Sequence, residues 1–138
     1  MKIRITKIIL DTNIWISFLI TKDFKKLDLL INRGKIQLLF SNELLEEFIT
    51  VAQRPKFKKY FTKNDIEKVL DNFDSFGKII KIRSDIKICR DIKDNFLLNL
   101  AIDGKADYLL TGDNDLLNMQ TIRKTKIASI TDFLKIIK

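Results

Sequence analysis

Short apolar runs recur along this chain at intervals that leave room for a helix between them. Lys7 to Asp11, Ile36 to Phe40, Lys78 to Ile82, Tyr108 to Thr111 and a stretch near Lys126 to Ser129 read as five strands. Between them, apolar residues fall mostly at helical spacing: Ile14 to Leu19 with Phe24 to Asn32, then the face Leu44, Leu45, Phe48, Val51 and Ala52. A longer helix carries Ile66, Val69, Leu70, Phe73 and Phe76 in register. Ser41, Thr62 and Asp91 are placed to cap helix starts, the last for a helix from about Ile92 to Asp103. Gly34, Gly77 and Gly104 are placed to end helices, and Pro55 closes the one before it. A short helix through Leu117 and a terminal helix from Thr131 complete the pattern. Strands alternating with helices imply an α/β fold whose parallel sheet is covered on both faces.

The chain of 138 residues is expected to form one domain over 1–138, and four Gly with one Pro leave no room for a flexible linker. No apolar run approaches the ~18 residues of a membrane span, and the start lacks the pattern of a secretory signal, so a cytoplasmic protein without membrane contact is expected.

The residues that are missing narrow the chemistry. There is no histidine and one cysteine, Cys89, which rules out Ser-His-Asp triads, Cys-His pairs, histidine acid/base catalysis and thiolate zinc cages. Carboxylates remain, and their hard oxygens suit Mg²⁺ or Mn²⁺ over softer metals. The formal net charge of +8 favours polyanions, with nucleic acid the first candidate. Arg54, Lys56, Lys58 and Lys59 form one basic cluster, and Lys22, Lys25 and Lys26 another. Arg54, Lys56 and Lys58 are the expected substrate contacts.

In open α/β sheets, ligands bind outside the carboxyl ends of the strands. Asp11 ends the first strand and Asp113 follows the fourth, while Glu47 and Asp94 lie on helices after the second and third. At about 100° per residue, Glu47 lies nearer its helix's apolar face than Glu43 or Glu46. By the same measure Leu97, Leu98, Leu100, Ala101 and Ile102 surround Asp94, whereas Asn95, Asn99 and Asp103 fall opposite. Burying a lone carboxylate costs several kcal/mol unless it is paired, hydrogen-bonded or metal-bound. Helix capping by Asp91 with Asp94 is the alternative, as are capping by Asp11, a solvated Glu47 and turn chemistry at Asp113. Trp15 and Cys89 read as core.

Around these acids the chain resembles the PIN-domain ribonucleases, in the branch akin to VapC toxins of type II toxin-antitoxin systems. The residues that carry the resemblance are Ile9-Leu10-Asp11-Thr12-Asn13 with Ser17; Ser41 to Glu47; Arg90-Asp91-Ile92-Lys93-Asp94-Asn95 with Ala101; and Ala106 to Asp113. The likeness runs from Ile8 to Leu134, departing in a longer segment between Arg54 and Gly77. It implies an α/β/α sandwich around a parallel five-stranded sheet. It further implies Mg²⁺ or Mn²⁺ on Asp11, Glu47, Asp94 and Asp113, with support from Asn13, Thr111 and Asp115. The activity implied is metal-dependent endoribonucleolytic hydrolysis, with RNA, a cognate antitoxin protein and further copies of the chain as partners.

Other classes fit less well. A phospho-receiver domain also gathers acids around Mg²⁺, but it needs an Asp closing its third strand, where Ile82 is followed by Arg83 and Ser84. A haloacid-type phosphatase would need a second Asp at Asn13, and no G-x-G-x-x-G signature supports dinucleotide binding. A PIN-like protein that only binds RNA or a partner would not need all four acids.

Overall fold

A computed structural model describes residues 5–21, 29–31, 33–71 and 77–136. The strands are β1 (Thr6–Leu10), β2 (Ile36–Phe40), β3 (Gly77–Ile79), β4 (Tyr108–Leu110), β5 (Thr121–Ile122) and β6 (Thr125–Ala128). Among the helices are α1 (Thr12–Thr21), α2 (Asn42–Ala52), α3 (Lys63–Asp71), α4 (Ile92–Gly104), α5 (Asn114–Leu117) and α6 (Ile130–Ile136). The sheet order is β3-β2-β1-β4-β6-β5, parallel throughout except for the β5–β6 pair. Successive strand side chains point to opposite faces, yet Ile8, Ile9 and Leu10 are all buried, as are Leu38, Leu39 and Phe40. Both faces are therefore covered, which makes the α/β/α sandwich.

Chain direction across the sheet reverses between β1 and β4. From β1 the chain steps outward to β2 and β3, then returns to place β4 on the other side of β1. Such a reversal leaves a crevice at the carboxyl ends of the two central strands. Trp15 of α1 meets Phe40 and Phe48 edge-on at 5.4 and 5.7 Å, and Phe48 meets Phe61 at 6.4 Å, so α1, β2, α2 and the following turns are tied into one cluster beside that crevice.

The structure corrects the expected elements in several places. The sheet has six strands, because Thr121–Ile122 forms a short antiparallel hairpin with β6. The third strand ends at Ile79 instead of Ile82. It pairs only with β2, whose last residue is Phe40, so the ladder stops where Ile80 N–H reaches Phe40 O. Gly77 is the first residue of that strand; the residues just before it, with the expected helix positions Phe73 and Phe76, and most of Phe24 to Asn32, lie outside the described residues.

Gly104, expected to follow a helix ending at Asp103, is itself the last residue of α4. A Cβ there would stand 2.8 Å from Leu39 Cδ1, so the missing side chain lets α4 approach β2 closely. The left-handed cap is Lys105, at φ 53° and ψ 48°. For a residue with a Cβ this conformation costs about 1 kcal/mol, a cost that glycine avoids. Lys105→Gly should therefore raise stability by about 0.5–1 kcal/mol, seen as a higher urea midpoint at unchanged slope. A lower midpoint would mean that the lysine side chain contributes more than its backbone costs.

The residues between β3 and α4 have no sheet partner, and α4 supplies one. Asn99 Oδ1 accepts Ile86 N–H at 2.8 Å, Asn95 Oδ1 accepts Cys89 N–H at 2.9 Å, and Asp103 accepts the N–H groups of Arg83 and Ser84. Burial disfavours the charged Asp103, but these bonds and the Ser84 hydroxyl outweigh it and hold its carboxyl below the usual range. Asn95, Asn99 and Asp103 do fall opposite Asp94, as their spacing predicts. Asn95 and Asn99 are nonetheless buried, because an extended segment covers that side.

Candidate active site

Asp11 follows β1 directly, and its N–H donates to Leu110 O of β4, so the residue sits at the mouth of the central crevice. Thr111 follows β4 and is fully buried; its hydroxyl donates to Asp11 Oδ2 at 2.8 Å and accepts Asp113 N–H at 3.0 Å. One hydroxyl thereby fixes two acids from two strands. Asp113 also caps α5, its Oδ1 accepting Asp115 N–H at 2.8 Å.

The other two acids come from helices. Ser41 caps α2 by accepting Leu44 N–H at 3.1 Å, and the burial of Leu44, Phe48 and Val51 sets the rotation that leaves Glu47 half-buried. Glu47 Oε2 accepts the Thr12 hydroxyl at 3.1 Å, and Oε1 lies 3.2 Å from Lys93 Nζ. Asp91 caps α4 through Lys93 N–H at 2.9 Å. Asp94 is not needed for that cap; it is buried, with 5% exposure, and shares a hydrogen bond with Asp113.

A pocket of about 190 Å³ gathers all four acids. Its lining includes Asp11, Glu47, Asp94 and Asp113 together with Asn13, Asp91, Arg54 and Lys93. The electrostatics follow from crowding like charges out of water. Burial, then the hydrogen bond to Asp113, then the charges of Asp113, Asp91 and Asp11 push the Asp94 carboxyl up to about 7. Burial also raises Asp11, joined by the charges of Glu47 and Asp113 and opposed by the Thr111 hydroxyl.

Among the described residues, no three acidic or cysteine side chains are arranged as a ready ligand shell. The donor set is nonetheless all hard oxygen, and its crowded carboxylates repel one another, with Lys93 offsetting Glu47. That chemistry fits a small divalent cation.

Of the remaining expected site residues, Asn13 lines the pocket from an exposed position and Thr111 supports it from beneath. Asp115 turns its carboxylate away, toward Arg90 Nη2 at 3.2 Å, and supports Asp113 through its backbone alone. The basic cluster divides: Arg54 lines the pocket, but Lys56 and Lys58 do not, and Lys56 Nζ rests 5.2 Å from the centroid of the Phe57 ring. The chain turns after Gln53, so the residues beyond Arg54 lead away. Thr12 and Lys93 were not singled out in the sequence. Thr12 carries a signal in hindsight, being the middle of the Asp11-Thr12-Asn13 triplet, whereas the Lys93 contact depends on how α2 and α4 meet.

Comparison with known proteins gives this pocket a family. An uncharacterized protein of Methanocaldococcus jannaschii is 37% identical over 127 residues, which span 89% of this chain and 80% of that one. Among solved structures, the crystal structure of VapBC2 from Rickettsia felis, bound to a DNA fragment from their promoter, contains a chain with the same fold. It superposes with a TM-score of 0.55 over 88% of this chain and 97% of that chain, at 20% identity. A family model described as PIN domain matches residues 7–115, a span that holds all four pocket acids. The chain therefore belongs to the PIN domain family.

Proposed function

We propose that this protein is a divalent-metal-dependent endoribonuclease that hydrolyses RNA phosphodiester bonds, and that it acts as the toxin of a toxin-antitoxin pair. The observation that carries the nuclease reading is the convergence of Asp11, Glu47, Asp94 and Asp113, from four separate elements, on one pocket at the strand ends. A bound Mg²⁺ or Mn²⁺ would supply an activated water and neutralise charge on the reacting phosphate. Asp11, Asp94 and Asp113 are the proposed ligands, with Glu47 a ligand or the orienter of the attacking water. Thr111 and Thr12 hold these carboxylates in place, a role whose loss commonly costs 10- to 100-fold in metal affinity or activity. The toxin reading rests on family membership together with the fold shared with a chain of the Rickettsia felis VapBC2 complex. A cognate antitoxin and further copies of this chain are its proposed partners.

Cleavage of a labelled RNA should require Mg²⁺ or Mn²⁺, stop in EDTA and return when the metal is restored in excess. Because water and not the ribose hydroxyl is the proposed nucleophile, the products should carry 5′-phosphate and 3′-hydroxyl ends. Undiminished cutting in EDTA, or 2′,3′-cyclic phosphate ends, would sink the metal mechanism. An inert protein that still binds RNA would point instead to a non-catalytic member of the family.

Arg54 is the proposed phosphate contact of the basic cluster. Each phosphate neutralised on single-stranded RNA adds about 0.7 to the slope of log affinity against log salt. Arg54→Ala should flatten that slope by about this amount and Lys58→Ala by less. A wild-type slope in Arg54→Ala would place the RNA elsewhere.

A further inference from the structure

Lys93 is an odd residue for its place. It lies on the first turn of α4, two residues after the Asp91 cap, where the positive end of the helix disfavours a cation. It also directly precedes buried Asp94. Its ammonium crosses to another helix and meets Glu47 Oε1 at 3.2 Å, while the Thr12 hydroxyl occupies Oε2. Both oxygens of Glu47 are thus held by the chain's own groups. The pair sits at the pocket mouth, its Lys93 side chain 55% exposed and its Glu47 side chain 25% exposed. An exposed lysine pair is a weak interaction, and the four-carbon stem lets the ammonium swing without moving the backbone. The contact is therefore present but displaceable.

We propose that Lys93 is the internal counter-ion of the acid pocket, pairing with Glu47 until a divalent cation takes the carboxylate and thereby setting how tightly that cation binds. The inference rests on the metal-nuclease reading and adds a positioning residue to it. Binding competence requires Glu47 to be free, so apparent affinity is lowered by the fraction of time the pair is closed. Once released, the ammonium remains at the pocket mouth on the same lining as Arg54. There it can take a substrate phosphate, which couples cation loading to RNA binding.

The test uses Mn²⁺ alone, without RNA, titrated into metal-free protein and read as free Mn²⁺ by electron paramagnetic resonance. Lys93→Met should bind Mn²⁺ roughly two- to sixfold more tightly than the wild type, and Lys93→Arg should stay near it. In a Glu47→Gln background the pair is already broken, so adding Lys93→Met should change affinity less than twofold. Unchanged affinity in the single variant overturns the proposal. An equal gain in both backgrounds also overturns it, since Lys93 would then act through its general field and not through Glu47. Failure of both the wild type and Lys93→Met to bind Mn²⁺ would overturn the metal reading along with it, whereas tight binding by wild type and variant alike overturns only the role of Lys93.

Discussion

Asp94→Asn should abolish RNA cleavage while leaving the metal-free protein as stable as the wild type, or more so. The substitution keeps shape and hydrogen-bonding capacity, and an amide can donate to the Asp113 carboxylate that the Asp94 carboxyl now faces. What it removes is one charge from a buried site with 5% exposure. The Asp94 carboxyl is pushed from 3.8 up to about 7 in the folded protein, so between those values the native state holds a proton that the unfolded chain has released. Wild-type stability attributable to this group therefore falls as pH rises from about 4 to about 7. The Asn variant has no such loss, so its relative gain should be near zero at acid pH and largest above pH 7. Each unit of such a shift is worth about 1.4 kcal/mol, so the gain above pH 7 should be at least on the order of 1 kcal/mol.

Magnesium should reverse the ranking. A cation that binds only the native state stabilises it by mass action, and should do so more for the wild type, which keeps all four carboxylates. Urea melts at two pH values, with and without Mg²⁺, beside a cleavage assay, separate the cases. Expressed in cells, the wild type should slow growth and Asp94→Asn should not. A variant that is destabilised yet active would mean that Asp94 serves the helix and not the chemistry.

The alternation of apolar runs and helical faces was legible because it follows from which side chains are buried. The five parallel strands, the Ser41 and Asp91 caps, and the inward lean of Asp94 all rest on that logic. The β5–β6 hairpin was not legible. Its turn is built on Arg123 and Lys124, with Arg123 at φ 52°, and carries no Gly or Asn to announce a positive φ. The polar side of α4 misled in another way. Asn95, Asn99 and Asp103 read as a face turned from the core, and only the structure shows an extended segment lying against them. Within the pocket, the acids could be found from strand ends and helix angles. The Thr12 and Lys93 contacts to Glu47 could not, because they depend on how separate helices dock.

Thr111→Val should cost both stability and activity, and Thr111→Ser should restore much of each. Valine has nearly the shape of threonine, so the fully buried position stays filled and the change isolates the hydroxyl. That hydroxyl donates to Asp11 Oδ2 and accepts Asp113 N–H, and it is the main group opposing the burial that raises the Asp11 carboxyl. Without it, two partly buried polar groups lose a partner, at a cost of about 1–3 kcal/mol. Asp11 should then titrate still higher, so less of it is ionised at a given pH and a cation must compete with a proton more often. The expected result is a roughly 10- to 100-fold fall in cleavage at neutral pH that shrinks as pH or Mg²⁺ rises. Serine keeps the hydroxyl but loses the methyl packing, so it should return most of the activity and only part of the stability. A valine variant that cleaves at the wild-type rate at neutral pH and limiting Mg²⁺ would show that the bridge between the two acids does not organise the site.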